Sequence, residues 1–147
     1  MKVDSRTVGP FVEHCYLIVD ETAGRAVFVD PGDEPAVLIK MAEESGAEVD
    51  AIWLTHAHID HIGGIAGVLR RWPVPVFMHP ADRIVFERAN EVAHMYGLPF
   101  EKPEPPDIDL LEGQQVGVGN LRFEVMHMPG HAPGLVEIGR ASCRERV

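Results

Sequence analysis

The segment WLTHAHIDHIGG, residues 53–64, constrains the fold and the chemistry of this chain more than any other part. It places three histidines and one aspartate within six positions, directly after the apolar run AIWLT. A short continuous apolar run is typical of a strand that is buried on both faces of a sheet. The cluster therefore lies on the loop that follows a buried strand, which is where α/β proteins usually bind their ligands.

Alternating strands and helices are predicted around this cluster. The predicted strands are 11–20, 26–30, 51–55, 74–79, 115–118 and 121–127, and the predicted helices are 34–45, 62–72 and 80–96. Gly46 is expected to end the first helix and Pro80 to begin the third. Four prolines between Pro99 and Pro106 predict a loop. The alternation predicts an α/β fold with a mixed sheet.

The spacing within the cluster favours metal binding. In an extended or turning backbone, residues i and i+2 point the same way, so His56 and His58 can face one ion. Asp60 and His61 lie about one turn further on and can face a second ion. Imidazole nitrogen suits zinc, iron or nickel, and a carboxylate adds a harder ligand. Gly63 and Gly64 allow the backbone to turn tightly beneath such ions.

A further ligand is expected from the segment MHMPGHAPG, residues 126–134. His131 lies there in a turn rich in glycine and proline, directly after a predicted strand. Such a turn can direct a side chain back toward the ends of neighbouring strands. We therefore expect His131 to join His56 and His58.

Together, HAHIDH and the downstream PGHAPG resemble the metallo-β-lactamase superfamily. The segments GPFVEHCYLIVDE, VFVDPGD and VPVFMHPAD are similar to its hydroxyacylglutathione hydrolase (glyoxalase II) branch. The resemblance covers nearly all of residues 1–136. It implies an αββα sandwich of two similar halves, with two metals at one edge. This chain is expected to contain the first half and only the start of the second.

The resemblance also implies a role for each matching residue. The first ion would be held by His56, His58 and His131, and the second by Asp60 and His61. Asp60 is in addition the candidate catalytic residue. Asp30, in the motif VDPG, would orient the loop that carries the ligands.

The activity implied for an intact relative is the hydrolysis of a small-molecule thioester or ester. Two Zn²⁺ ions, with iron or manganese as alternatives, would generate a metal-bound hydroxide that attacks the carbonyl carbon. The alternative on the same fold is an iron-dependent persulfide dioxygenase. The motif HIDHIGG favours the hydrolase. Substrate specificity would be determined by loops and second-half elements that this chain does not contain.

Composition narrows the class of partner. The formal net charge of −10 disfavours non-specific binding to nucleic acid or to anionic membranes. The start of the chain lacks the basic and apolar segments of a signal peptide, so the expected compartment is the cytoplasm. Two cysteines, Cys15 and Cys143, are too few to predict a disulfide framework.

The end of the chain reads differently from the rest. Residues 137–147, EIGRASCRERV, lose the apolar periodicity and bring three arginines within seven residues. The peptide matches the translation of a common sequencing-library adapter. We hypothesise that the native reading frame ends near Val136 and that 137–147 is a non-native tail. A natural basic tail is the alternative.

Two ligands implied by the resemblance are therefore missing. The family's dinuclear site also uses a bridging aspartate and a final histidine from the second half of the fold, and 137–147 contains neither residue type. We expect this chain to bind at most about one ion and to be an inactive fragment of a metallo-hydrolase.

The remaining histidines are not predicted to bind a metal. A partly buried, hydrogen-bonded role is predicted for His79 at the end of a strand. His94 and His127 have no ligand partner at suitable spacing, and His14 has no assigned role.

Overall fold

The computed structural model describes residues 1–140, which form two sheets and one layer of helices. The first sheet contains, in spatial order, β1 (Lys2–Val8), β2 (Glu13–Asp20), β3 (Arg25–Val29), β4 (Glu48–Trp53), β5 (Val76–Met78) and β6 (Ile108–Asp109). The first three strands are antiparallel neighbours, and β3 to β6 run parallel to one another. The predicted α/β class with a mixed sheet is confirmed.

The central strands of this sheet bury both of their faces. Successive side chains of a strand point to opposite sides, so Phe28 and Ile52 enter one core while Val27 and Trp53 enter another. All four side chains are buried. This is why β3 and β4 read as continuous apolar runs rather than as alternating patterns.

Five helices are present in the described part of the chain: α1 (Pro35–Ser45), α2 (Ile59–Ile62), α3 (Ile65–Arg71), α4 (Arg83–Glu87) and α5 (Ala89–Met95). Their apolar side chains, including Leu38 and Phe86, share a core with one face of the first sheet. Gly46 ends α1 in the left-handed conformation (φ 72°), as predicted. None of these helices is long and apolar enough to cross a membrane.

Several local predictions were incomplete. The helix expected at 62–72 begins at Ile65 and is preceded by the separate helix α2. The helix expected at 80–96 is divided into a 3₁₀ turn (Pro80–Asp82), α4 and α5, with Arg88 at the junction. Phe86 of α4 and Ala89 of α5 both belong to the core. Strand β1 was not predicted, because the edge strand KVDSRTV has no apolar run and owes its pairing to its register with β2.

The second sheet covers the other face of the first. It consists of β7 (Gln115–Val118), β8 (Leu121–His127) and β9 (Val136–Arg140), all antiparallel. Phe123 and Val125 point into the core between the sheets, while Arg122 and Glu124 alternate with them and are exposed. The Trp53 and Phe123 rings meet edge to face at 5.5 Å and join the two sheets.

The last strand extends beyond the predicted end of the native part at Val136. Val136–Arg140 pairs with β8, and Ile138 is fully buried in the core between the sheets. Residues 141–147 lie outside the described residues. The adapter origin of 137–147 remains a prediction.

Ile138→Ala is expected to lower the free energy of unfolding by about 2–5 kcal/mol, because it removes a buried side chain and leaves a cavity between the sheets. Urea unfolding of the purified chain measures this change. Ile84→Ala is the matched control: Ile84 is 55% exposed on α4, and its loss should change stability by less than about 0.5 kcal/mol. Equal effects for the two variants would show that β9 is not packed as described.

Candidate metal centre

The candidate site lies where the parallel strands β3 and β4 end. Asp30 follows β3, and the segment from Thr55 to His61 follows β4. The loop between β8 and β9 brings His131 from the second sheet to the same edge. The backbone N–H of Val136 donates to the carbonyl of Thr55 (2.9 Å), which holds the start of β9 against the end of β4.

Three predicted ligands come together at this edge. The ring centroids of His56 and His58 lie 4.7 Å apart, those of His58 and His131 4.7 Å, and those of His56 and His131 5.2 Å. One nitrogen from each ring lies within 4.8 Å of the other two. His56 is buried and His131 is exposed, so the group forms an open-sided pocket for a cation.

His56 also carries an unpaired nitrogen. Its Nδ1 lies 3.1 Å from the hydroxyl of Thr55, whereas its Nε2 is buried and has no hydrogen-bond partner in the described protein. A buried polar atom without a partner is unfavourable unless it binds something. A neutral imidazole nitrogen in this position fits a divalent metal ion.

Asp30 organises the loop that carries these histidines. Its carboxylate accepts hydrogen bonds from the backbone N–H of Thr55 (2.7 Å) and from the Thr55 hydroxyl. It also lies 2.9 Å from Nδ1 of His61. Asp30 has a positive φ of 54°, which is uncommon for a residue with a side chain. These contacts agree with the orienting role that the sequence predicted.

Asp60 and His61 are the predicted ligands of a second ion. Nε2 of His61 lies 3.6 Å from a carboxylate oxygen of Asp60. The second set of three ligand atoms within 4.8 Å of one another, however, contains Asp30, His56 and His61. Asp60 instead lines an adjoining cavity of about 280 Å³ together with Phe11.

Burial and neighbouring charges set the protonation of the histidines. Burial, assisted by His61, lowers the pKa of His56 to about 3. Burial and the neighbouring His131 also lower the pKa of His58. For His61, burial opposes protonation, but the hydrogen bond and charge of Asp30 outweigh it and raise the pKa. His56 and His58 are therefore neutral at pH 7, which is the form that binds a metal.

Glu13 is a buried acidic residue that the sequence prediction missed. It is 6% exposed, neither carboxylate oxygen has a hydrogen-bond partner in the described protein, and one oxygen lies 3.5 Å from Nδ1 of His61. Burial, together with the charges of Asp30, Asp60 and Asp33, raises its pKa to about 9. The available signal was a charged residue at the start of the apolar run CYLIV.

Two glycines allow the loop after β3 to pack against the ligand loop. A Cβ atom on Gly32 would lie 1.8 Å from the carbonyl oxygen of Asp60, and a Cβ on Gly63 would lie 2.6 Å from that of Gly32. The backbone N–H of Gly64 donates to Pro31 (2.9 Å). Glycine is thus required here for close approach.

The other histidines near this edge make structural contacts. His79 and His127 stack with ring centroids 3.9 Å apart and an angle of 17°. Nδ1 of His79 accepts a hydrogen bond from the backbone N–H of Ala81 (3.0 Å), which confirms its predicted hydrogen-bonded role. Nε2 of His127 lies 2.9 Å from the carbonyl of Pro133. Neither ring belongs to a metal-ligand group within residues 1–140.

The chain is similar in sequence to a known protein family. The model of the metallo-beta-lactamase superfamily matches residues 8–144. The hydroxyacylglutathione hydrolase GloC of Haemophilus influenzae is 32% identical over 136 residues, which is 91% of this chain and 64% of the relative. The chain thus spans about three fifths of the length of the curated relatives it matches.

Solved structures agree with these matches. The B3 metallo-beta-lactamase BLEG-1 superposes with a TM-score of 0.85 at 30% identity, over 96% of this chain and 68% of that protein. TTHA1623, solved in a di-iron-bound form, superposes with a TM-score of 0.81 at 39% identity, over 92% of this chain and 65% of that one. The fold predicted from the motifs is confirmed.

Replacing Glu13 with Gln should change how the stability of the metal-free chain depends on pH. The pKa of Glu13 is higher in the folded chain than its ordinary 4.5, so folding favours the protonated acid. The free energy of unfolding should therefore fall, relative to Glu13→Gln, as pH rises from 4.5 to about 9. Urea unfolding in the presence of a chelator measures both proteins across this range.

The exposed Glu124 on β8 supplies the control. Glu124→Gln should follow the pH dependence of the parent chain. A constant difference between the parent and Glu13→Gln over the whole range would contradict the buried, protonated state of Glu13.

Proposed function

The chain belongs to the metallo-beta-lactamase superfamily, and on that premise we propose that it carries the metal-binding part of a hydrolase that cleaves a small thioester or ester. The observation that carries this proposal is the convergence of His56, His58 and His131 around the unpaired Nε2 of His56. Its similarity to a hydroxyacylglutathione hydrolase supports a thioester substrate. This substrate class is proposed for the whole protein, of which the chain would be one part.

The donor set supports Zn²⁺ as the ion. Three histidine imidazoles in a pocket with one open side match the ligand set of a catalytic zinc site. The residues proposed to hold the first ion are His56, His58 and His131. Imidazole also suits iron, and the di-iron-bound form of the similar protein TTHA1623 supports iron as the alternative. Manganese, which prefers oxygen ligands, is the less favoured alternative.

The protein groups around the ion have separate roles in this proposal. When bound, the cation would supply Lewis acidity, lowering the pKa of a water ligand and polarising a carbonyl oxygen. Asp60 borders both His61 and the adjoining cavity, so its carboxylate is placed to accept a hydrogen bond from an attacking water. Asp30 keeps His61 oriented through Nδ1. The cavity beside Asp60 would receive the acyl group.

A second ion would have fewer ligands. Asp60 and His61 are its proposed ligands in this chain, while the bridging aspartate and final histidine expected from the family resemblance have no counterpart in the sequence. We therefore propose that this chain retains the first site and lacks hydrolase activity, and that the longer parent protein binds two ions.

The 147-residue chain, loaded with zinc and dialysed, should contain about one ion per chain by elemental analysis. His131→Ala should weaken zinc binding by more than about 100-fold in a chelator competition, because it removes a ligand rather than an outer contact. His94→Ala is the matched control, since His94 is exposed on α5 and lies outside both ligand groups. Two tightly bound ions per chain, with thioester turnover, would overturn this proposal.

Activity is expected from a longer protein that contains residues 1–136 followed by the remainder of the superfamily domain. Loaded with zinc, it should hydrolyse a hydroxyacylglutathione thioester without consuming oxygen, and Asp60→Asn should reduce kcat. Free thiol release and an oxygen electrode measure the two reactions. Oxygen consumption with a persulfide substrate, dependent on iron and without thioester hydrolysis, would favour the persulfide dioxygenase instead.

A further inference from the structure

The side chain of Asp82 connects the two loops that carry the proposed ligands of the first ion. Asp82 is fully buried at the end of the 3₁₀ turn that follows β5. One carboxylate oxygen accepts a hydrogen bond from the backbone N–H of Ala57 (2.7 Å), and the other accepts from the backbone N–H of Gly134 (2.6 Å). Both hydrogen bonds are buried and span 25 and 52 residues of the sequence.

The two backbone N–H donors lie beside the proposed metal ligands in the sequence. Ala57 stands between His56 and His58, and Gly134 follows His131 by three residues. These histidines come from different sheets, so their separation depends on how the two loops are held together. A charged acceptor that bonds both backbones is stronger than a neutral one, and it is protected here from water.

The absence of a side chain at Gly134 allows this contact. A Cβ atom at this position would lie 2.6 Å from the backbone nitrogen of Asp82 and 2.7 Å from its Cβ. These are backbone or near-backbone atoms that cannot rotate away. The glycine in the motif PGHAPG is therefore required for the loop to reach the carboxylate.

We propose that Asp82 is a positioning residue for the metal centre, whose buried carboxylate sets the distance between His131 and the pair His56 and His58. The inference rests on the proposed function only in taking these three histidines as ligands. Asp82 contacts the backbone beside the ligands rather than the ion, so it acts through the two loops.

The test compares Asp82→Asn with Asp20→Asn in the 147-residue chain. Asp20 is a matched control because it is also buried and accepts backbone N–H groups, including that of the distant Asn120 (2.7 Å), at the opposite end of β2 and β3. An asparagine at position 82 would turn an NH₂ group toward one of the two N–H donors, so one hydrogen bond is lost.

Zinc affinity and the visible spectrum of the Co²⁺-loaded chain are the readouts. Asp82→Asn should weaken zinc binding by about 10- to 100-fold and alter the Co²⁺ ligand-field bands. Asp20→Asn should leave both unchanged while lowering the unfolding midpoint. If Asp82→Asn does not fold, Gly134→Ala is the second variant, because it retains the carboxylate but displaces it from the loop. Gly134→Ala should likewise weaken zinc binding and alter the Co²⁺ bands.

Amide exchange in the unmodified chain provides a readout that needs no variant. Zinc should slow exchange of the Ala57 and Gly134 amides together, and leave the Asn120 amide unaffected. If the parent chain binds zinc but both Asp82→Asn and Gly134→Ala bind it equally well, the role of Asp82 is wrong and the proposed function stands. If the parent chain binds no zinc, the proposed function fails, and the positioning role fails with it.

Discussion

Burial of the central strands on both faces is the constraint on which the rest of the molecule depends. Phe28 and Ile52 contact the helical layer, while Val27 and Trp53 contact the second sheet. The buried positions along these strands are all apolar, so chemical groups collect where the strands end. Packing of the second sheet against Trp53 then brings the β8–β9 loop to the same edge.

At that edge, the buried polar groups differ in how fully they are hydrogen bonded. The carboxylates of Asp30 and Asp82 are satisfied by backbone and side-chain donors. Nε2 of His56 and both oxygens of Glu13 have no such partner among residues 1–140. An unpaired buried polar group is unfavourable. The two satisfied carboxylates therefore stabilise the loops, whereas the imidazole nitrogen of His56 and the carboxylate of Glu13 are suited to binding an ion and a proton, respectively.

Elements that depend on interactions between residues close in sequence could be predicted, whereas elements that depend on distant contacts could not. The helix ending at Gly46 and the β7–β8 hairpin could be predicted, since periodicity and turn residues act over a few positions. Strand β1 could not, because its pairing with β2 compensates for a sequence without an apolar run. The division of 80–96 into α4 and α5 at Arg88 was not predicted either, since no glycine or proline marks it in the sequence.

The sequence by itself determined the strand-end motif and the family to which the chain belongs. Spacing within HAHIDH, and the resemblance that this motif and PGHAPG carry, predicted five metal ligands and an orienting role for Asp30. Only the tertiary structure decided how these residues are held together. It placed Glu13 against His61 and Asp82 between Ala57 and Gly134, through contacts that span 25 to 52 residues. Such contacts leave no local pattern, because they depend on where separate strands end in space rather than on the residues that adjoin them.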